Sequence, residues 1–274
     1  MTTDNNTPHL LEEIRGHVLI LTMNRPAARN AISPEMACRL ADAFHRFDKD
    51  DDLRVLVLTG QGDKAFSSGG DLALMLPLLT GARLPVTAWD HRVIEDRNVL
   101  DRSALRNVQI DKPIISAVNG VCMAGGMETM LATDIRVAAD TAVFGLPEAK
   151  RGLIPFAGAL VRLPRQMPQA IAMELLLTGD TIDAARAQAT GLVNHVVPQA
   201  EVLPTALRLA QSIAANGPVA IQQIKKTVRL SSGASLDDGY VLEDEAKAVV
   251  MRSEDAREGP KAFIEKRQAR FSGR

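Results

Sequence analysis

The residues best suited to chemistry in this sequence are a pair of glycines and an acid at 125–128. An apolar run ends in Gly125 and Gly126, and Glu128 follows two residues after the second glycine. This spacing predicts a helix that begins at Gly125, so its first turn carries unpaired backbone N–H groups and an acid. Such N–H groups stabilise an oxygen that gains negative charge, and an acid beside them is placed to transfer a proton.

Two further stretches carry the same residue types. After the apolar run 55–58, a tight loop contains Gly69 and Gly70. Further along the chain, Val143 and Phe144 lead to Glu148, so a second carboxylate follows a short strand. The sequence therefore presents two glycine loops and two glutamates, each placed after a short apolar run.

Six segments resemble, in order, those of the enoyl-CoA hydratase/isomerase (crotonase) superfamily, and the chain resembles an enoyl-CoA hydratase most. The resemblance runs from about Ile14 to Phe271. It implies an α/β fold (α+β in some schemes), a crotonase-like spiral of repeated ββα turns with a C-terminal helical trimerisation region. Residues 1–200 would form the spiral core with the acyl-CoA site, and residues 201–274 the helical oligomerisation region. The matching segments are NRPAARNA (24–31), AFSSGGDL (65–72), VNGVCMAGGMET (118–129), FGLPEAKRGLIP (144–155), LLLTGDTIDAARAQATGLVNHVV (175–197) and EGPKAFIEKRQARF (258–271).

The resemblance also implies a reaction. This is the reversible addition of water to a 2-enoyl-CoA, giving a 3-hydroxyacyl-CoA, in fatty-acid or related acyl-CoA degradation. Gly70 and Gly125 resemble the two N–H donors that hold the thioester oxygen, and the loss of one such donor costs roughly 3–4 kcal/mol. Glu128 and Glu148 resemble the two acids on one side of the double bond. Glu128 would mainly activate water, and Glu148 would mainly protonate the α-carbon.

Binding residues are carried over in the same way. Phe263 and Lys266 resemble residues that touch the CoA of an adjacent subunit, in a homotrimer or a dimer of trimers. No metal and no separate cofactor are implied, because coenzyme A is part of the substrate. The residues expected to contact the acyl-CoA within one subunit are Arg25, Ala28, Arg29, Ser68, Asp71, Leu72 and Phe156.

Two departures from the hydratase pattern concern the acyl group. Phe156 stands where many hydratases carry glycine, so its ring could crowd the water or shape the acyl pocket. The segment 73–109 is longer than in short-chain hydratases and resembles a lid over that pocket. We expect it either to accommodate a bulky or long acyl group or to form an oligomer contact. Its apolar residues include Met75, Leu76, Leu78, Leu79, Trp89 and Val93.

Other interpretations of these residues stay open. The protein could be a family isomerase that shifts the double bond with Glu148. It could also be a non-catalytic acyl-CoA-binding subunit, which Phe156 would favour. Taken singly, Glu128 could be a solvated acid in a first helical turn. Glu148 could be a loop acid paired with Lys150 or Arg151.

Composition and motifs argue against several other classes of function. With 32 basic and 33 acidic residues the net charge is −1, so no global field attracts nucleic acid or an anionic membrane. Aromatic residues make up only 3%, too few for base-stacking platforms. The histidines lack metal-ligand spacing, and the GxSxG and nucleotide-binding glycine motifs are absent. We therefore expect an acyl-CoA partner, and neither nucleic acid nor membrane.

Cysteine usage and the N-terminal sequence predict a cytoplasmic enzyme. Cys38 and Cys122 form no CxxC pair, which suits a reducing compartment. Residues 1–13 show neither an apolar signal core nor an arginine-rich amphipathic pattern. The most apolar long window, 114–131, contains Glu128 near its end, so it is a poor candidate for a lipid span.

The predicted elements place the glycine loops at the ends of strands. Ser33 followed by Pro34 predicts the start of a helix, as an N-cap and a first-turn proline. Asp71 is expected to form a cap or turn rather than to react. Strands are predicted at 18–21, 55–59, 114–118, 135–137 and 193–197. Beyond Gly158 the pattern predicts helices at 170–177, 183–190, 201–215, 218–230, 236–251 and 260–269.

Overall fold

The chain alternates between two β-sheets. The computed structural model describes residues 7–96 and 98–274. The strands are β1 Leu10–Arg15, β2 Val18–Met23, β3 Val55–Gly60, β4 Ala65–Ser67, β5 Ile114–Val118, β6 Val121–Met123, β7 Ile135–Ala139, β8 Val143–Gly145, β9 Thr181–Asp183 and β10 His195–Val197. Within the described ranges, one sheet has the order β1-β2-β3-β5-β7-β10 and the other the order β4-β6-β8-β9.

Each turn of the chain adds one strand to each sheet. β3, β5 and β7 pair in parallel in the larger sheet. β4, β6 and β8, which follow them in the chain, pair in parallel in the smaller sheet. Every residue of β3 is buried, which accounts for its run of apolar side chains. This regular advance confirms the α/β spiral expected from the sequence.

The helices cover the sheets and form the C-terminal part of the chain. They are α1 Pro34–Lys49, α2 Met75–Leu79, α3 Ala88–Glu95, α4 Val99–Ser103, α5 Gly125–Met130, α6 Ala159–Gln166, α7 Gln169–Thr178, α8 Ala184–Ala189, α9 Val202–Ala214, α10 Pro218–Ser231, α11 Leu236–Val250 and α12 Asp255–Ile264, with 3₁₀ turns at Pro26–Ala28, Pro147–Arg151 and Gln199–Glu201. The predicted start of α1 is confirmed, because the Ser33 hydroxyl accepts a hydrogen bond from the N–H of Met36.

The main core is largely aliphatic, as the composition predicts. Its largest fully buried side chains also include Phe44, Phe47, Phe66 and Phe144. α9 packs against β3, β5 and β7, and its alanines at 206 and 210 join this core. α9 therefore belongs to the main core, and the division into a spiral core and an oligomerisation region at residue 200 stays a prediction.

A second, smaller apolar cluster lies under the segment 73–109, which we call the lid segment. Cys38 of α1 contributes to it, together with Met75 of α2, Val93 of α3 and Val99 of α4. The main core and this cluster share no fully buried side chain. The lid segment thus has its own small core on the surface of α1.

The last three helices expose much apolar surface. α10 and α11 pack against each other, and neither contains a buried residue. Across the described ranges, no helix is long and apolar enough to span a lipid bilayer. The exposed apolar side chains of these helices include Ile224, Val228, Leu236, Tyr240, Val241, Val249, Phe263 and Ile264.

The last helix lies earlier in the chain than the sequence predicts. The sequence predicts a helix at 260–269 with Pro260 in its first turn, but α12 runs from Asp255 to Ile264 with Pro260 inside it. The helix ends early because Lys266 adopts a left-handed backbone conformation with φ 54°. α6 is not predicted, because Pro164 lies within its short sequence.

Candidate active site

Two glycine loops meet at the N-terminus of α5. Gly69 has φ +91°, and a Cβ on it would lie 2.5 Å from the Cβ of Ala124. Glycine is therefore required for the approach of the two loops. A Cβ built on Gly125 would lie 3.5 Å from the nitrogen of Gly70, so the two proposed N–H donors come from neighbouring backbone segments.

The N–H groups of Gly70 and Gly125 are free to bind a ligand. Ile32 pairs with the Gly70 loop by donating its N–H to Gly69 and accepting the N–H of Asp71, which leaves the N–H of Gly70 out of this pairing. Gly125 is the first residue of α5, where an N–H has no partner within the helix. No hydrogen bond within residues 7–96 and 98–274 is donated by either N–H.

Glu128 is buried in the first turn of α5, and its carboxyl group is held by the backbone. Its side chain is only 3% exposed, so it is not the solvated acid that one sequence interpretation allowed. Its Oε1 accepts hydrogen bonds from the N–H groups of Ala157 (2.7 Å) and Ala159 (3.1 Å). Burial raises the pKa of Glu128, while these two N–H groups oppose that rise. The carboxyl group is therefore fixed in orientation.

Glu148 lies in the 3₁₀ turn after β8 and is less well supported. Its Oε2 is buried and accepts no hydrogen bond from the part of the chain that is described. Burial raises the pKa of Glu148 to about 7, and the nearby charge of Glu128 contributes to the rise. Glu148 is thus suited to carry a proton near neutral pH.

The alternative ion pairs of Glu148 are not formed. Lys150 pairs instead with Asp180 at 2.5 Å. Arg151 donates to the carbonyl of Pro147. Glu148 therefore faces a cavity rather than a basic side chain.

Both acids and both N–H donors line one cavity of about 180 Å³. Of the residues predicted to contact the acyl-CoA, the cavity wall contains Ser68, Asp71, Leu72 and Phe156. Part of the predicted lid is also there, while Leu78 and Trp89 belong to the small cluster beneath it. The lid residues that line the wall are Met75, Leu76 and Leu79, as the sequence predicts. Sequence reasoning missed most of the other wall residues, because they carry no chemical signature. The wall also includes Ile32, Met75, Leu76, Leu79, Leu100, Ser103, Ala104, Ala124, Thr129, Pro147, Arg151, Leu153 and Ala157.

Arg25 lies behind the Gly70 loop. Its Nη1 is 2.7 Å from Oδ2 of Asp71 and also donates to the carbonyl of Ala31. Oδ1 of Asp71 accepts the N–H groups of residues 73 and 74. Asp71 thus caps the turn, as expected, and the ion pair with Arg25 anchors the loop.

The other predicted binding residues lie outside the cavity. Ala28 and Arg29 sit beside Ser68, which donates its N–H to the carbonyl of Arg29 at 3.0 Å. Phe263 is 84% exposed on α12, and Lys266 is exposed in the turn that follows. Within one subunit these last two residues do not join the cavity. Among the described residues, no group of three or more His, Cys, Asp or Glu could hold a metal ion.

The structure is thus a two-sheet spiral in which a single cavity brings two free backbone N–H groups beside two buried acids. The chain belongs to the enoyl-CoA hydratase/isomerase family, whose sequence profile matches residues 13–274. The enoyl-CoA hydratase EchA19 of Mycobacterium tuberculosis is 42% identical over the full length of both chains. The carnitinyl-CoA dehydratase of Citrobacter koseri is 38% identical, with 94% of this chain and 96% of that protein covered. The crystal structure of the enoyl-CoA hydratase EchA1 from Mycobacterium marinum matches with a TM-score of 0.87 and 40% identity, over 98% of this chain and all of that one.

Proposed function

We propose that this protein is an enoyl-CoA hydratase, which adds water reversibly to a 2-enoyl-CoA and gives a 3-hydroxyacyl-CoA. One observation carries the proposal: Glu128 and Glu148 line the same cavity as the free N–H groups of Gly70 and Gly125. The names of its relatives, two hydratases and a dehydratase of CoA esters, support the same reaction class.

The two N–H groups account for activation of the substrate. Hydrogen bonds from Gly70 and Gly125 to the thioester oxygen make the β-carbon electrophilic. As water adds, negative charge grows on that oxygen, and the fixed donors stabilise it without reorganisation. The positive end of α5 adds to this effect.

The two acids account for the movement of protons. Ionised Glu128 accepts a proton from water while the water oxygen bonds to the β-carbon. Protonated Glu148 gives its proton to the α-carbon as the enolate collapses. The substrate gains one O–H and one C–H bond, and the pair of acids keeps one proton throughout, so dehydration follows the same path in reverse. Two backbone donors hold Glu128 and none holds Oε2 of Glu148, which fits these separate roles.

The direct test is the loss of the conjugated-thioester absorbance when the protein is mixed with a panel of 2-enoyl-CoA esters. We expect rapid loss with at least one member, and incorporation of ¹⁸O from labelled water into the product. Tight binding of every ester without turnover would overturn the proposal in favour of a non-catalytic acyl-CoA-binding subunit.

An isomerase of the same family is the nearest alternative. A 3-enoyl-CoA assayed beside the 2-enoyl-CoA separates the two, because an isomerase conjugates the double bond without adding water. We favour the hydratase because two acids face the cavity, whereas a shift of the double bond by Glu148 alone would leave Glu128 without a role.

The lining of the cavity suggests an apolar acyl group longer or bulkier than crotonyl. Leu76, Leu79 and Leu100 of the lid segment form part of its wall. Leu72 and Phe156 also line it and are each more than half exposed, so they extend an apolar surface toward solvent. We infer that the lid segment and Phe156 together bind the acyl chain. The substrate panel should therefore include long-chain and ring-bearing esters.

We infer that the protein is a homotrimer or a dimer of trimers, as its resemblance to the family implies, and the exposed apolar helices support an assembly. α10 and α11 bury no residue in the single chain, and their apolar side chains need a partner surface. In such an assembly Phe263 and Lys266 would reach the CoA of a neighbouring subunit. Light scattering coupled to size-exclusion chromatography tests this. We further infer a cytoplasmic location, which the two buried free thiols support. We also infer that the reaction needs no cofactor beyond the CoA of the substrate.

A further inference from the structure

Arg162 is a half-buried residue in the first turn of α6 that has no place in the reaction described above. Its Nη1 donates to the carbonyl oxygens of Ala104 (3.3 Å), Ala157 (3.3 Å) and Glu128 (3.4 Å). Its Nη2 donates to the carbonyl oxygen of Leu105. One guanidinium group therefore binds three separate backbone segments.

Those segments surround the catalytic cavity. Ala104 lines it at the end of the lid segment. Leu105, the next residue, has φ 53°, a conformation that costs a non-glycine residue of order 1 kcal/mol or more unless its surroundings hold it. Ala157 supplies one of the two N–H groups on the Glu128 carboxylate. Arg162 thus ties the base of the lid to the loop that holds Glu128.

The absence of a side chain at Gly158 leaves room for the guanidinium group of Arg162. Gly158 has φ +119°, and a Cβ on it would lie 2.7 Å from Nη1 of Arg162. Any other residue at 158 would displace the guanidinium. The cation makes no salt bridge with a carboxylate within the described ranges, and all its bonds go to neutral carbonyl groups. Burial lowers the pKa of Arg162, and the charge of Glu128 opposes this.

We propose that Arg162 is a positioning residue for the hydration: it holds the peptide group between the two that bind the Glu128 carboxylate, and it places a positive charge near that carboxylate. The inference rests on the proposed function, because it assigns Arg162 to the water-activating acid of that reaction. Lysine at 162 would keep the charge but could not bind four carbonyl groups in a planar fork. Glutamine at 162 would lose both the positive charge and the planar fork of donors.

The charged groups that face Glu128 come from three other elements. They are Arg162 of α6, Arg106 after α4 and Glu148 in the 3₁₀ turn, and Arg151 acts in turn on Glu148. Of the two arginines of α6, only Arg162 acts on Glu128, so R162Q removes a positive charge near that carboxylate and R165Q does not. Arg165 lies on the same helix, is exposed and donates only to its own helix at Val161, so R165Q is a matched control.

The experiment measures kcat, KM and the pH dependence of kcat/KM for wild type, R162K, R162Q and R165Q with the best ester of the panel. We expect R162K to lose about tenfold to a hundredfold in kcat at nearly unchanged KM, because the geometry at Glu128 loosens. The acidic limb of the kcat/KM profile reports protonation of Glu128. R162Q should move this limb to higher pH by about one unit, since a positive charge that favours the ionised carboxylate is lost. R165Q should match wild type in both respects.

The possible outcomes separate this inference from the proposed function. An inactive wild-type protein would overturn the proposed function, whereas an active wild type with R162K at full kcat would overturn only the role of Arg162. If R162Q does not fold, R162K alone decides. Lower thermal stability of R162K with an unchanged kcat and pH profile would make Arg162 a structural residue and contradict the proposal.

Discussion

Glu128 and Glu148 face one cavity, yet their carboxyl groups are bound differently: Glu128 accepts two backbone N–H groups, and Oε2 of Glu148 accepts none. Burial raises the pKa of both, but for Glu148 it reaches about 7. The higher pKa places a proton shared by the pair mainly on Glu148, which is the form from which the proposed hydration starts. Dehydration starts from the form that carries the same proton on Glu128, so both directions require one proton on the pair.

The first prediction concerns the pH dependence of activity. Loss of the proton of Glu148 should produce an alkaline limb in kcat/KM near pH 7. The profile should be the same for hydration and dehydration, because the ratio of the two kcat/KM values is the equilibrium constant. Initial rates in both directions across the pH range provide the check. A flat profile between about pH 6 and pH 9 would contradict the shared proton.

The second prediction concerns the two acids. E128Q and E148Q should each lower kcat by orders of magnitude while the affinity for a CoA ester stays close to that of wild type, because each removes a proton-transfer group and not a binding contact. Steady-state kinetics and calorimetric titration with a product ester measure the two effects. E174Q, at an exposed site on α7, is the control. If both acid variants keep wild-type turnover, the site assignment is wrong.

The third prediction concerns stability. The pKa of Glu148 is about 7 in the folded chain against an ordinary 4.5, so its contribution is fully present below pH 4.5 and is lost as the pH rises to 7. Glutamine cannot ionise, so E148Q should have a higher Tm than wild type above about pH 8, and the difference should close at low pH. Thermal scans of the two proteins across this range test the sign. A constant difference in Tm at every pH would show that Glu148 does not ionise with a raised pKa.

The fourth prediction concerns the N–H of Gly125. Proline is tolerated at the first position of a helix but has no N–H, so G125P should lower kcat about 100- to 1,000-fold. G125A keeps the N–H, and its Cβ would meet the nitrogen of Gly70 at an ordinary 3.5 Å, so it should keep most of its turnover. Circular dichroism confirms folding of both variants. Equal losses in both would mean that space, and not the donor, matters at this position.

The fifth prediction concerns Phe156, whose ring lines the cavity and is 55% exposed. F156A should change the ratio of kcat/KM between long and short acyl esters by about tenfold or more, because the apolar wall is shortened. I154A is the matched control, since Ile154 is close in sequence and 62% exposed but is absent from the cavity wall. If instead F156A raises or lowers the rates of all esters equally, the ring acts on the water and not on the acyl group.

Regular elements of the fold are predictable from this sequence, and the short ones are not. The N-cap at Ser33 and the strand 114–118 are found where predicted, because hydrophobic pattern and capping chemistry are local. β9 has only three residues and is held by its pairing with β8, so no local pattern marks it. The predicted helix that begins at Pro260 is displaced, because the end of α12 is fixed by the backbone conformation of Lys266.

The sequence predicts the parts of the site that are built from characteristic residue types, and not the parts that are built from backbone groups. The two acids and the two glycine loops are visible in the sequence, and the structure brings them to one cavity. The N–H groups of Ala157 and Ala159 are invisible there, because any residue but proline supplies the same donor. Arg162 is missed for a similar reason, since its partners are carbonyl oxygens and three of the four come from distant parts of the chain.

The separate apolar cluster beneath the lid segment bears on how such a protein diversifies. Leu78 and Val93 pack on α1 and not between the sheets, so substitutions there change the lid segment and leave the main core as it is. The segment can therefore vary while β4 and β6, which lead to Gly70 and to α5, keep their register. A lineage with this architecture can exchange one acyl preference for another without rebuilding the chemistry.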